Sequence, residues 1–329
     1  MSTYHLNLLT LLELSSVGRR TVQQLLHTFD RAHFNHQPIH EQSDILNHLF
    51  YKPGETQLNH ARKRAETILD HAQKTGVQLV GYGEKHYPDR LNVLADFPVV
   101  LFVRGDPAAM HRKRTVSITG SRRAGEKALE ITETYTRKLA ESGWHLVSGL
   151  TKGCETAAHR GALQASMPAV VVLGSGLDHV HPRSSTRMAE KILEKGGCWV
   201  SEHPNGTRVY KRQLIERDRI RSALSDGVLL IQESFSGHAM HTVRFAKSQG
   251  KPLAVLDPKH RAVSGDSTGN NFLVKANAGV PIRNDKDLEH FINNLTRYLQ
   301  KQRKQPRQSA ESLNNPIQLS FLDDIQASR

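Results

Sequence analysis

Apolar positions along the chain change their period, and the change divides it. Early on, Leu8, Leu11, Leu12, Leu14 and Val17, then Val22, Leu25, Leu26 and Phe29, recur every three to four residues around a break at Ser15–Gly18. That spacing puts them on one face of each of two helices. Residues 1–75 therefore read as a small helical domain. Residues 76–114 read as a connector, rich in Tyr, Pro and Val and ending in the strand-like Val99–Val103. From about Thr115 the period changes. Val116–Gly120 and His145–Leu150 read as buried strands, and Ala169–Gly174, Cys198–Glu202, Val228–Gln232 and Leu253–Asp257 as further short apolar strands. Helical stretches separate them at Glu126–Ser142, Glu155–Ser166, Ser185–Lys195, Lys211–Ser225 and Ala239–Gln249. Strands without polar alternation, interleaved with helices, predict an α/β class: a doubly wound, mostly parallel sheet covered on both faces, over residues 115–300. A last helix from about Asp287 carries Leu288, Phe291, Ile292, Leu295 and Leu299 on one side. Residues 301–329 lose all periodicity and read as a disordered basic tail.

Charge sharpens this picture. The 45 Lys and Arg exceed the 32 Asp and Glu by 13, which favours a polyanionic partner such as nucleic acid. A solvated basic surface is the plainer alternative. No apolar run approaches the ~20 residues of a membrane span, and Leu6–Leu14 contains Glu13 and lacks a basic leader. A membrane partner is not expected. Cys154 and Cys198 cannot make a disulfide framework, and a reducing cytoplasm is the expected location.

Ligands of such sheets gather at the carboxyl ends of the strands, so the strand-end loops hold the candidate chemistry. They read Gly120-Ser121-Arg122, Ser148-Gly149 running to Lys152-Gly153, Gly174-Ser175-Gly176-Leu177-Asp178 leading to His181-Pro182-Arg183, and Ser201-Glu202-His203-Pro204-Asn205-Gly206. Arg217-Asp218-Arg219-Ile220 and Ser236-Gly237 complete the set. Small residues permit close backbone approach, helix N-termini offer donors, and arginines fork onto phosphate oxygens. Neither Gly-x-Gly-x-x-Gly nor Gly-Lys-Ser/Thr occurs in the first loop, which argues against dinucleotide binding and ATP turnover. Near the N-terminus, Ser16-Val17-Gly18 followed by Arg19-Arg20 resembles a helix–hairpin–helix that grips phosphate, though a plain helical pair fits at least as well.

In this order and spacing the loops resemble the DprA/Smf family of DNA-processing proteins. Tyr87-Pro88 and Phe97-Pro98 resemble the segment preceding that family's core, and the likeness covers about residues 80–285. The resemblance implies a Rossmann-like domain that binds single-stranded DNA and loads a RecA-type recombinase, and a homodimer; no cofactor is expected, nor a metal, since His179 and His181, or His238 and His241, lack a third ligand at metal-site spacing. It assigns Gly120, Ser121 and Arg122 to a first phosphate loop, and Ser148, Gly149 and Gly153 to a second, to which Lys152 adds positive charge. Arg217 and Arg219 fall on its basic motif, Ser236 and Gly237 on its small-residue turn, and Arg183 on a basic position after its Tyr-Pro. Together Arg122, Arg217 and Arg219 are expected to line a phosphate-tracking groove.

Five residues at four sites depart from the pattern. Asp218 replaces the central Asn of Arg-Asn-Arg, Cys154-Glu155 replaces Ile-Asp, His181 replaces the Tyr of Tyr-Pro, and His238 stands where a second Ser is expected. The alternative is a nucleotide-binding or nucleotide-cleaving enzyme or sensor of the related Rossmann-like group. Its Pro-Gly-Gly-x-Gly-Thr loop is missing from Glu233–Thr242. Glu155 and Glu202 are expected to be a first-turn helix carboxylate or a loop salt bridge rather than catalytic groups. No catalytic constellation is expected, and the chain reads as a binding protein. In the tail, Gln318, Leu319, Phe321 and Leu322 resemble a short peptide that docks into the replication sliding clamp.

Overall fold

The continuous apolar segments form the middle of one sheet. The computed structural model describes residues 2–261 and 263–304. Among these, helices α1 (Thr3–Leu12), α2 (Arg19–Thr28), α3 (Arg31–His36), α4 (Ser43–Asn47) and α5 (Glu55–Lys74) come first. Strands β1 (Gln78–Gly81) and β2 (Val100–Gly105) follow, then the alternating part: β3 (Thr115–Thr119), α6 (Glu126–Glu141), β4 (His145–Ser148), α7 (Cys154–Gln164), β5 (Val170–Val172), α8 (Thr186–Glu194) and β6 (Cys198–Ser201). The chain continues through α9 (Lys211–Ala223), β7 (Val228–Leu230), α10 (Ala239–Ser248), β8 (Leu253–Leu256), α11 (Pro258–Arg261), α12 (Thr268–Lys275), β9 (Val280–Ile282) and α13 (Asp285–Lys304).

The nine strands are ordered β1-β2-β6-β5-β4-β3-β7-β8-β9, with β6 through β9 mutually parallel and β1 and β2 antiparallel. Successive side chains of a strand point to opposite faces, and the core divides accordingly. Ile118, Leu146, Val171, Trp199 and Leu229 pack with α6, α7, α8 and α13. On the other face Val147, Val170, Val172 and Val200 pack with α9, while Val228, Leu230 and Val255 pack with α10 and α12. The doubly wound α/β expectation matches this sheet. The segment expected to be a connector does more than lead in, because it supplies β1 and β2 to the sheet. Residues 301–304, expected to begin the tail, continue α13, and the rest of the tail lies outside the described residues.

Helices α1 and α2 flank the break expected at Ser15–Gly18. Tyr4 and Leu8 share one hydrophobic cluster with Val77, Val99 and Phe102, so the N-terminal helices pack on the sheet's antiparallel edge. Gln23 donates to the Phe97 carbonyl and Asn205 to Thr75 Oγ1 (2.6 Å), tying those helices to the connector and to the loop after β6.

Candidate functional site

From β3 the strand order runs outward through β4, β5 and β6 on one side and β7, β8 and β9 on the other. The reversal therefore falls between β3 and β7, which are paired from Ser117–Val228 to Thr119–Leu230. Adjoining loops diverge at such a point and leave a crevice. The crevice holds about 320 Å³ of space, part of it open to solvent, and is lined by Thr119, Gly120 and Arg122 after β3 and Thr151 and Glu155 after β4. Leu214, Ile215, Arg217, Asp218 and Arg221 of α9 form one wall, and His238 and Ala239 at the start of α10 close it.

Its floor is a buried ionic cluster. Arg217 donates from Nη2 to Glu155 Oε1 (3.0 Å) and from Nη1 to the Val172 carbonyl (2.8 Å). Arg221, one helical turn on, donates to the same Glu155 carboxylate, to Thr242 Oγ1 and to Thr119 Oγ1 (3.2 Å). Glu155 also accepts the Thr151 N–H (2.8 Å) and hydroxyl (2.7 Å). Burial alone would raise its pKa, but Arg217, Arg221 and Thr151 prevail and hold it well below the usual carboxylate range. Asp218 differs: although Arg221 Nη2 lies 3.1 Å away and Arg217 Nε 3.4 Å away, burial outweighs them and raises its pKa. Three arginines (Arg122, Arg217, Arg221) thus line the crevice with two carboxyls (Glu155, Asp218); the buried Nε of Arg217 lies against Asp218, and that of Arg221 makes no hydrogen bond among the described residues.

Glycines make the cluster possible. A Cβ at position 149 would collide with the Arg217 guanidinium, and one at Gly153, where φ is +84°, with the Ser121 carbonyl. Below them His159 Nε2 donates to the Gly149 carbonyl (2.8 Å), and burial pushes its pKa down to about 4. Cys154, expected to be an inert small residue, is buried, and burial pushes its thiol up to about 12. Burial, then Arg122, lowers the pKa of His238.

The structure brings together only part of the expected groove. Gly120, Arg122 and Arg217 line the crevice. Ser121, Lys152, Gly153, Ser236 and Gly237 flank it in chain, and Lys152, Arg183 and Ser236 are exposed. Two expectations need correction. Ser148 is fully buried and its hydroxyl is donated to the Ile118 carbonyl (2.8 Å), so it joins strands rather than facing a ligand. Arg219 points away from the crevice: its guanidinium grips Glu202 (2.7 Å) and Asp96 (3.0 Å), which Arg19 also holds at 3.1 and 2.8 Å. Arg19 and Glu202 are thereby explained as partners in a salt-bridged clasp between α2 and the core. Two helix N-termini are also already occupied, since Cys154 N donates to the Ser121 carbonyl and Ala239 N to Glu233 Oε2 (3.0 Å). Gly237 leaves room for that Glu233 carboxylate.

Sequence reading missed Arg221. The signal was available: residues four apart share a helical face and residues two apart do not, so Arg217 pairs in space with Arg221 and not with Arg219.

A sequence model described as DNA recombination-mediator protein A matches residues 78–293. Protein Smf of Escherichia coli K12 is 30% identical over 262 residues, which is 79% of this chain and 69% of that protein. DNA processing protein DprA of Bacillus subtilis is 29% identical over 188 residues, 56% of this chain and 63% of that one. Among solved structures, DNA processing protein A of Streptococcus pneumoniae shares the fold (TM-score 0.71, 21% identity, 88% of this chain and 98% of that one). DNA processing protein A of Helicobacter pylori, solved for its single-stranded DNA binding mode, is 26% identical with a TM-score of 0.59, over 67% of this chain and 96% of that one. With a family match from the first strand to the last helix, this chain belongs to the DNA recombination-mediator protein A family.

Proposed function

We propose that the crevice holds the phosphodiester backbone of single-stranded DNA, and that the chain hands the strand to a RecA-type recombinase. The observation that carries this reading is the convergence of Arg122, Arg217 and Arg221 at the strand-order reversal, where three guanidiniums face two carboxyls. A cation in excess is matched by a phosphate, whose oxygens suit guanidinium forks geometrically. The single-stranded DNA binding mode described for the Helicobacter pylori relative supports it. Exposed Lys152 and Arg183 extend the positive path beyond the crevice. The chain is read as non-catalytic, because Glu155, ionised by two guanidiniums, accepts a proton poorly near neutral pH.

The test is fluorescence anisotropy with single- and double-stranded oligonucleotides of equal length at two salt concentrations. Arg122→Ala should weaken single-strand binding and lower the salt slope by roughly 0.7, one counterion fewer per lost phosphate contact. Equal binding by parent and variant at every salt moves the site elsewhere. A second reading, a nucleotide-cleaving enzyme, rests on Asp218, whose raised pKa would suit a general acid. Free base released from nucleoside monophosphates would select it. Our reading extends to a homodimer in the cytoplasm and to a sliding clamp engaged by Gln318, Leu319, Phe321 and Leu322, which lie outside the described residues. Clamp retention that survives deletion of residues 317–329 would remove that partner. Among the described residues no helix is long and apolar enough to cross a membrane.

A further inference from the structure

We propose that Tyr210 is a stacking platform for one unpaired base beside the crevice, a role that rests on the single-strand reading above. Tyr210 is 61% exposed and stands at the N-cap of α9, one turn before Leu214 and Ile215 of the crevice wall. At 1.5 Å per residue, that places its backbone about 6 Å along the helix axis from Leu214. Its conformation (φ −122°, ψ 157°) is extended rather than helical, and its N–H is held by Gln213 Oε1 (2.9 Å), which fixes the point where the chain enters the helix. The preceding loop is also anchored, with Gly176 N donating to the Thr207 carbonyl (3.0 Å) and the Asn205 amide accepting from Leu177 N (3.0 Å).

A single exposed tyrosine is ordinary on a protein surface. Position distinguishes this one. Exposed Arg208 and Lys211 flank it without an ion-pair partner among the described residues, and Arg212 is paired with Glu216 (2.8 Å). Phe235, on the loop at the opposite side of the crevice, already packs edge-on against Phe272 at 5.0 Å. The other large exposed aromatics, Phe50 and Tyr51, lie on the turn between α4 and α5. Tyr210 therefore combines an accessible ring, a fixed backbone and adjacent cations. Aromatic faces stack on any unpaired base and tolerate any sequence, while a duplex hides its base faces. A cationic crevice alone attracts both forms of DNA, and the ring supplies a preference for the single strand.

The experiment compares the full chain with its Tyr210→Ala and Tyr210→Phe variants on a single-stranded oligonucleotide and on an abasic strand of equal length and charge. Tyr210→Ala should bind the base-bearing strand about tenfold more weakly and the abasic strand as the parent does. Tyr210→Phe should bind both strands as the parent does. Thermal melts establish that each variant is folded. Equal affinity of parent and Tyr210→Ala for the base-bearing strand, with Arg122→Ala still weakened, overturns the platform and leaves the crevice reading intact. Equal losses on both strands also overturn it, because the ring would then act without a base. A parent that binds neither strand overturns both readings together.

Discussion

Two arginine clusters lie on opposite faces of α9 and have opposite characters. On one face Arg219 joins Arg19, Glu202 and Asp96: two cations, two anions, every carboxylate shared, and a closed clasp between the N-terminal helices and the core. On the other, Arg217 and Arg221 share Glu155 beside Asp218 and Arg122, which leaves a cation in excess. A balanced cluster holds parts of a protein together, whereas an unbalanced one at the end of a sheet is poised for an anion. The same residue type thus serves assembly on one side and recognition on the other. The helical period decides which, since adjacent members of Arg217-Asp218-Arg219 diverge and every fourth residue converges.

The comparison breaks most readily at Glu155. Glu155→Ala strips Arg217 and Arg221 of their shared counter-ion in a fully buried setting and should cost about 3–5 kcal/mol in chemical denaturation. Asp96→Ala, in a clasp whose Asp96 side chain is 30% exposed, should cost about 1 kcal/mol. Equal losses would erase the distinction between the two faces. Next in size is acidification. His159 is buried neutral with a pKa of about 4, against 6.5 in the unfolded chain, so the unfolded state takes up the proton first as pH falls. Stability present above pH 6.5 should fall by about 2 kcal/mol on reaching pH 5, and a His159→Gln variant should lack that portion of the loss.

Asp218→Asn sharpens the charge side of the comparison. Because the folded state raises this carboxyl's pKa, its ionisation at neutral pH works against stability, and a neutral amide removes both that cost and one anion from the crevice. Single-strand affinity should rise about threefold at low salt and less as salt is added. The gap between variant and parent should narrow as pH falls and Asp218 takes up its own proton. No change at any pH would mean that Asp218 only orients its neighbours. The smallest effect belongs to Arg19→Ala, about 0.5 kcal/mol for a pair partly screened by solvent. It should speed hydrogen exchange in α2 and leave the DNA affinity of the folded protein unchanged.

Strands β3 to β8 were legible because each is short, buried and set between helical stretches, most plainly Val228-Leu229-Leu230. Strand β9, Val280-Pro281-Ile282, was not, because three residues with a central proline carry almost no pattern and owe their extended form to pairing with β8. The crevice was legible in part. Gly120, Arg122 and Arg217 were marked by their strand-end loops and motif, while Arg221 lies one residue past Arg217-Asp218-Arg219-Ile220 and carries no motif signal. Ser148 and Arg219 misled for the same reason: adjacency in a motif does not state which side of the backbone a side chain takes. Glu155 and Glu202 were correctly weighed as ion-pair carboxylates, since a helix's first turn and an arginine-rich neighbourhood both favour that outcome.

The antiparallel pairing of β2 with β6 has a consequence for any shortened form of this chain. An uncovered strand edge is a template on which other chains can add, and proteins blunt such edges or cover them. At the far end the edge is blunted, since β9 is three residues long and carries Pro281. At the near end it is covered: the ribbon of β1 and β2 lies over β6, and the N-terminal helices pack over the ribbon. A fragment begun at Thr115 would bare the side of β6 that now pairs with β2 along Cys198–Ser201, while its pairing with β5 remained, and should self-associate through that edge. A fragment begun at residue 78 would keep the ribbon but expose Val99, Val100 and Phe102, which the helices now shield. The first seventy-odd residues therefore cover one face of the ribbon that closes the near edge of the sheet.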